Sequence, residues 1–555
     1  MKEGNYIMAN RKLFASAPAG RVAPPTDTVN SAGGRAYKAG PKEALAQYVA
    51  TGCLGATFYA SAEEQLDEIL KLASDVSPEF VAQAAVYGRR SAFMKDTPAL
   101  LLAHLATRGP EGLAALKAAF NQVVDNPKML RTFVQIMRSG KVGRKSLGTA
   151  PKTLVKAWFD ARSDVQLFRA TGDKPSLADV IKMVHPKPQN AARKALYALL
   201  VGKSYDLDAC DALVQEFEAW KKDPSRPVPD VPFLMLTNVQ LDKKQWVAIA
   251  RSASWQTARM NLNTFLRHGV FEDKAMIKVI AAKLRDESEI AHARVFPYQL
   301  LVAYRNVSGV PMEIQSALQD AMEIATKNVP VIDGTVAVFP DVSGSMCSPV
   351  TGARGSATTK VECKDVAALV AATILRRNPG ARVVPFKEDV INLRLNPKDS
   401  IVTIAEQIAK CGSGGTNCSA PLRLLNSEKA KADLIVYVSD NESWMDPNVS
   451  LNSYSSGYTS SPTSMMAEWE KFRVRNPAAK LACIDLAPNG SRQAPTRKDI
   501  LNVGGFSDEV FTLLSEFHKG SGGDHWAKKI GSVQLGREVP VAPVKPTGGT
   551  DWVTL

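Results

Sequence analysis

The stretch Thr335 to Met346 reads TVAVFPDVSGSM, an apolar run that ends in Asp341, Ser343 and Ser345 at alternating positions. One serine hydroxyl is a weak ligand. Three oxygens on one loop can form part of the octahedral shell of a hard cation such as Mg2+. The remaining oxygens must come from other strand ends. The segment GSGGTNCSAP offers Thr416 on a glycine-rich loop before a helix, and DLIVYVSDNESW offers Asp440 at the end of an apolar strand. The plain alternative is a capping turn, because Asp and Ser also start helices. Strand-end aspartates can also accept phosphoryl groups, but that chemistry wants a second aspartate two residues on, and position 343 is Ser. A GxxxxGK phosphate loop, HExxH and GxSxG are all absent from the sequence.

A second set of residues could bind a polyanion. The net charge is +14, and residues 101–200 hold 17 Lys and Arg against 6 Asp and Glu, an excess of 11 in under a fifth of the chain. A solvated surface is the bland reading, but a concentrated excess suggests nucleic acid. RSGKVGRKSLGTAPKTLVKAWFD supplies Arg138, Lys141, Arg144, Lys145, Lys152 and Lys156. LFRATGDKPSLADVIKMVHPKPQNAARKA adds Arg169, Lys174, Lys182, His185, Lys187, Arg193 and Lys194. Lys152 and Lys156 are four apart and share a helix face, where they repel unless a polyanion neutralises them. The aromatic residues Phe133, Trp158, Phe159 and Phe168 are few, and the first three sit at helical spacing among Leu and Val. They read as core, which favours backbone contacts over base stacking.

These residues need elements to carry them. At 555 residues the chain predicts two to four domains. A hydrophobic content of 45% and a charged content of 22% are ordinary for a soluble globular protein. No apolar stretch approaches the ~18 residues of a membrane span, and the N-terminus lacks the apolar core of a signal peptide. Seven scattered cysteines without a CxxC pair argue against a zinc site or disulfide framework and for a reducing, cytoplasmic setting. Residues 1–28 read as a flexible arm. From Pro41 to about Met322, apolar residues recur three or four apart, with Pro, Gly, Asp or Ser at the breaks. This predicts many short helices in series, an α-solenoid whose basic region lies near its middle. DPSRPVPDVP (223–232) is a connector within that array.

After about 330 the strand candidates TVAVFP, ARVVPF, DLIVYVS and KLACIDL alternate with amphipathic helices, which predicts a doubly wound parallel sheet. Ligands of such sheets bind outside the carboxyl ends of the strands, where DVSGS sits. The loop 450–464 reads as mobile and the tail 538–555 as extended. Pro340 suits a strand end or edge. The basic loop 346–363 could cover the DVSGS site, recruit RNA or simply be flexible.

Asp341, Ser343, Ser345, Thr416 and Asp440, in that order and on those elements, resemble the metal-ion-dependent adhesion site of von Willebrand factor A domains. With the basic array before it, and with GGTNCSAPL, VSDNESW, NSAGGRAY (30–37), TGCLGATFYA (51–60), GRRSAFMKDTPALLLA (88–103), VHPKP (184–188) and ARVFPYQLLVAY (293–304), the chain resembles the Ro autoantigen family over about residues 29–520. The family comprises the TROVE-domain RNA-binding proteins, and the resemblance suggests a bacterial or phage relative. It implies a HEAT-like helical-repeat ring over 29–329, a doubly wound α/β von Willebrand factor A domain over 330–520 and an extension over 521–555. It implies a monomeric ring, not an enzyme, that binds small structured noncoding RNAs of the Y RNA kind and single-stranded 3′ ends of misfolded RNAs, with an exoribonuclease as a further partner and neither membrane nor DNA. It implies a divalent cation, Mg2+ with Mn2+ or Ca2+ as alternatives, and RNA contacts by His185 and by a basic residue in the preceding helix, for which Arg169 is the nearest candidate. In ARVFPYQLLVAY, Arg294, Pro297 and Tyr298 look structural. Two rival readings stay open: a protein-interaction scaffold built on the A domain, and a metal-dependent nuclease or phosphatase.

Overall fold

The computed structural model describes residues 23–536 apart from 53, 171–174, 294–296, 354–358, 446–460, 506 and 508. Helices fill the chain from Pro41 to Ala325. Their starts follow the local chemistry. Pro41, Pro78 and Pro127 stand at first helical positions, where a missing N–H costs nothing. Ser61 with Glu64, Ser163 with Gln166, Ser176 with Asp179 and Asp242 with Gln245 each form a reciprocal cap. In the helix Pro127–Ser139, Leu130, Phe133, Val134 and Met137 are all buried, and Gly140 ends it at φ 85°. Neighbouring helices stack on one another: Pro78–Arg90 packs on both Asp96–Leu105 and Gly109–Val123. The connector 223–232 stays inside the array, with Val231 buried in the same core as Trp220 before it and Met235 after it.

The second half is a five-stranded sheet of Val336–Pro340 (β3), Arg382–Val383 (β4), Leu434–Ser439 (β5), Lys480–Asp485 (β6) and Ile500–Gly504 (β8), in the order β4-β3-β5-β6-β8 and parallel throughout. Helices cover both faces, which is why β3 and β5 read as unbroken apolar runs. Alternate residues part to opposite sides. Val336, Val338, Leu434, Val436 and Val438 join the core shared with the helical array, while Ala337, Phe339, Ile435 and Tyr437 join a second core with Leu422, Met466, Trp469 and Phe472. Four of the five strands stand where the sequence places them. β8 is an addition: it is short, holds Asn502 and Gly504, and carries no alternation to mark it.

Both ends of the array meet the A domain. Thr28–Val29 (β1) pairs antiparallel with Arg35–Lys38 (β2), which pairs in turn with Ser491–Arg492 (β7), Tyr37 opposite Arg492. The helix Pro41–Thr51 lies against β8. At the other end Met312–Ala325 packs on Ile401–Ala409. The chain therefore closes on itself. One expectation changes here. Residues 23–28, read as part of a flexible arm, are laid against the A domain: Ala23 is buried in the second core, the Tyr37 hydroxyl donates to the Pro24 carbonyl at 2.6 Å, and Thr26 N–H donates to Ser461 O at 3.2 Å. The start of the extension is also structured. The helix His525–Gly531 packs on Pro78–Arg90, with Trp526 Nε1–H donating to the Tyr87 hydroxyl at 3.0 Å and Gln83 donating to Gly531 O at 2.7 Å. The rest of the arm (1–22), the tail 538–555 and the loop 450–464, except for its last residues, lie outside the described residues. Among the described residues no helix is long and apolar enough to cross a membrane, and none of the six described cysteines is in a disulfide.

Candidate cation site and basic helical face

β3 ends at Pro340, inside the sheet, and the chain leaves it between β4 and β5. Asp341 N–H donates to Val438 O at 2.9 Å and Val342 N–H to Phe386 O at 3.0 Å. Pro340 gives no N–H, but its carbonyl accepts from Phe386 at 3.1 Å, so the proline disturbs nothing. The Asp341 carboxylate is fixed at both oxygens: Ser343 N–H donates to Oδ1 at 2.8 Å and the Ser439 hydroxyl to Oδ2 at 2.6 Å. The Ser343 and Ser345 hydroxyls are 3.4 Å apart. Gly344 N–H donates to Gly414 O at 2.9 Å, which ties this loop to the one carrying Thr416. Trp444 and Met445 N–H both donate to Thr416 O at 3.0 Å, which ties that loop to the segment after Asp440. All five oxygen-bearing residues are thereby gathered at the carboxyl ends of β3 and β5, and all are buried.

The electrostatics are those of negative charge without a counter-charge. Burial, then Asp440, pushes the Asp341 carboxyl up to about 7. Burial also raises Asp440, against a hydrogen bond from Ser345. No lysine or arginine is among the main influences on either. Two more buried acids stand behind them. Glu442 is pushed up to about 8 by burial and Asp440, and accepts from Ala32 N–H at 3.1 Å and Ser491 Oγ at 3.3 Å. Asp485 is pushed up to about 7, mainly by burial, and accepts from Ala487 N–H at 3.1 Å and from Gln47. Among the described residues no group of three or more His, Cys, Asp or Glu is arranged to hold a metal. The set here is two carboxylates and three hydroxyls. Such a set fits a hard divalent cation whose shell is completed by water or an outside oxygen, and a cation would relieve the repulsion between Asp341 and Asp440. Ser439, Glu442 and Asp485 were not found from the sequence. The polar run that follows the apolar strand in DLIVYVSDNESW was the available signal for the first two.

The basic residues divide by chemistry. Arg138, Lys141, Lys145, Lys152, Lys156, Lys182, His185, Lys187 and Lys194 are exposed. They lie on or beside Pro127–Ser139, Thr149–Asp160, Leu177–Val184 and Ala191–Leu200, which adjoin one another. Arg138 is near enough to Asp179 to act on its carboxylate. Lys141 reaches Glu63 at 3.0 Å, an exposed pair worth little. Arg144 is half-buried and donates to Ala106 O at 3.1 Å. Arg169 and Arg193, expected as RNA contacts, are buried instead. Arg169 pairs with Asp230, and Arg193 pairs with Asp164 and donates to the Phe159 and Arg162 carbonyls. A guanidinium can satisfy several buried acceptors at once; Arg193 joins its helix to Asp164 and to the end of Thr149–Asp160, and Arg169 ties its helix end to the connector 223–232. Lys174 lies outside the described residues. His185 caps its helix in the left-handed region at φ 50° with its side chain exposed. Phe133, Trp158, Phe159 and Phe168 are buried, as expected of core, and so are Pro297 and Tyr298, while Arg294 lies outside the described residues.

Comparison with known proteins agrees with this fold. Residues 335–518 match the family model of the Ro60 von Willebrand factor A domain. The chain is 25% identical over 535 residues, 88% of its own length and 95% of the relative's, to the RNA-binding protein RO60 of Deinococcus radiodurans. It is 24% identical over 183 residues, 31% of its length and 28% of the relative's, to the RNA-binding protein RO60 of Caenorhabditis elegans. Its fold is similar to the crystal structure of the Deinococcus radiodurans RO (RSR) protein, with a TM-score of 0.59 and 21% identity over 87% of this chain and 100% of that one. The chain is thus a homologue of the Ro proteins, with a helix-rich N-terminal region and a C-terminal von Willebrand factor A domain of the Ro60 type.

Proposed function

We propose that this protein binds RNA on the exposed cations between Arg138 and Lys194, and that its RNAs are small structured noncoding RNAs of the Y RNA kind and single-stranded 3′ ends. The observation that carries this reading is the division just described. The buried arginines are committed to acidic partners within the array, while the lysines and His185 face solvent on adjoining elements. The names of the two RO60 relatives support RNA as the ligand. His185 adds a local sign, since a non-glycine residue in the left-handed region before a proline is held there at some cost. Lysine contacts to phosphates give affinity without base readout, so selectivity comes from RNA shape and single-stranded ends.

In the same reading the A domain holds a divalent cation, Mg2+ first, on Asp341, Ser343, Ser345, Thr416 and Asp440. The cation supplies an electrophilic docking point for an outside oxygen, such as a carboxylate of a partner that includes an exoribonuclease. The chain itself performs no RNA cleavage and acts in the cytoplasm, in RNA maturation, quality control or decay. The test is sequencing of RNA co-purified with the intact protein and with a variant carrying Lys145, Lys152, Lys156, His185 and Lys187 changed to Ala. A few small RNAs, depleted in the variant, are expected. Equal traces of bulk RNA in both would refute the reading. Shortening of RNA by the pure protein with Mg2+, abolished by Asp341→Ala, would replace it with the nuclease.

A further inference from the structure

The helical half reaches into the candidate cation site. Residues 54–60, in the segment between the helices Pro41–Thr51 and Ala62–Asp75, lie on the turn 349–353 that follows the DVSGS loop. Ala56 and Ala353 exchange two backbone hydrogen bonds, Ala353 N–H to Ala56 O at 2.8 Å and Ala56 N–H to Ala353 O at 3.3 Å. Gly55 and Gly352 meet face to face. A Cβ on Gly352 would stand 2.8 Å from Gly55 Cα, and one on Gly55 3.1 Å from Gly352 Cα. Glycine at both positions is what lets the two backbones touch. The segment is also held from its own side. Thr57 N–H donates to Ala60 O at 2.8 Å, Gln65 donates to the Thr57 hydroxyl at 3.1 Å, and Leu54 is kept at φ 50°, a conformation rare for a leucine.

All of this presents Tyr59 to the acids. Its ring is propped edge-on by Phe58, with centroids 4.8 Å apart. Tyr59, Ser345 and Asp440 line one cavity, with Thr51, Thr57 and Asn489 around them. Burial and Asp440 raise the phenol's pKa, the Ser345 hydroxyl opposes this by hydrogen bonding, and Glu442 and Asp341 act on it more weakly. A phenol is a neutral oxygen donor, suited to a hard cation or to the water on it.

We propose that Tyr59 belongs to the cation site as the oxygen contributed by the helical half, so that cation binding fastens residues 54–60 to the A domain. The inference rests on the cation reading above. It makes the cation a clasp between the two halves as well as a docking point.

Mn2+ serves as the probe, on the full chain. Its affinity is measured by calorimetry for the unaltered protein and for Tyr59→Phe, Asp341→Ala and Gly352→Ala. Hydrogen exchange is followed over residues 54–60 with and without Mn2+. The expectation is saturable binding that slows exchange in this segment by tenfold or more. Tyr59→Phe should weaken binding about tenfold and lose most of that slowing, and Gly352→Ala, which pushes the segment away, should do the same without touching a ligand. Absence of Mn2+ binding to the unaltered protein would overturn the cation reading and this inference with it. Binding that depends on Asp341 but leaves exchange at 54–60 unchanged, with Tyr59→Phe binding equally well, would overturn the inference alone. The exchange measurement on the unaltered protein decides the matter even if a variant fails to fold.

Discussion

Lys152 and Lys156 give the sharpest test of the basic face. Both are exposed on the helix Thr149–Asp160, one turn apart. Each phosphate neutralised on a single strand contributes about 0.7 to the slope of log affinity against log salt. If each lysine meets one phosphate, Lys152→Ala with Lys156→Ala lowers that slope by about 1.4. Over a fourfold rise in salt, from 50 to 200 mM, the unaltered protein should then lose about sevenfold more affinity than the variant. The assay is fluorescence anisotropy of a hairpin RNA with a single-stranded 3′ tail, titrated at four or more salt concentrations. Loss of affinity with an unchanged slope would mean that the lysines act on folding or on another surface. Equal affinity and equal slope would remove this helix from the RNA path.

The remaining predictions concern what is buried. Arg193→Ala should lower the melting temperature and leave the salt slope unchanged. It strands Asp164 and two carbonyls, and breaking a buried pair costs about 3–5 kcal/mol. Ser439→Ala removes the 2.6 Å hydrogen bond that orients Asp341 and should weaken Mn2+ binding 10- to 100-fold by calorimetry, with the fold intact by circular dichroism. Asp485 makes stability depend on pH. Its folded pKa, about 7, lies above the unfolded value, so the folded state holds the proton more tightly and loses stability as pH rises from about 4 to about 7. Asp485→Asn should lack this loss, gaining up to about 4 kcal/mol on the unaltered protein across that window in chelator-containing denaturant melts. Parallel pH profiles for the two proteins would refute the assignment.

The oxygen cluster proposed to hold a cation was legible because its signal is local. Asp341, Ser343 and Ser345 alternate at the end of one apolar run, and Thr416 and Asp440 follow at the ends of recognisable elements. What escaped depends on distant contacts. The partner of Ser439 is 98 residues away, and the segment carrying Tyr59 is joined to the turn after the DVSGS loop through an Ala56–Ala353 backbone bridge that no periodicity announces. Charge density located the basic region but could not sort its members. Arg193 and Lys194 are neighbours in sequence, yet one faces Asp164 and the other faces water. Residues 23–28 looked structureless because a segment laid along another domain needs no repeat of its own to be ordered.

The pairing of β2 with β7 has a consequence for how the molecule is made. Tyr37 finds Arg492 only after the 454 residues between them have been synthesised. Closing a flexible loop of that length costs about 5 kcal/mol of chain entropy, so the seam has little stability of its own until the domains on either side are folded. On the ribosome the helical array therefore emerges before β7 exists, so this pairing can form only after most of the chain has been made. Opening of the closed chain therefore requires this seam, the contact of Pro41–Thr51 with β8 and the packing of His525–Gly531 on Pro78–Arg90 to part together, with the helices themselves intact.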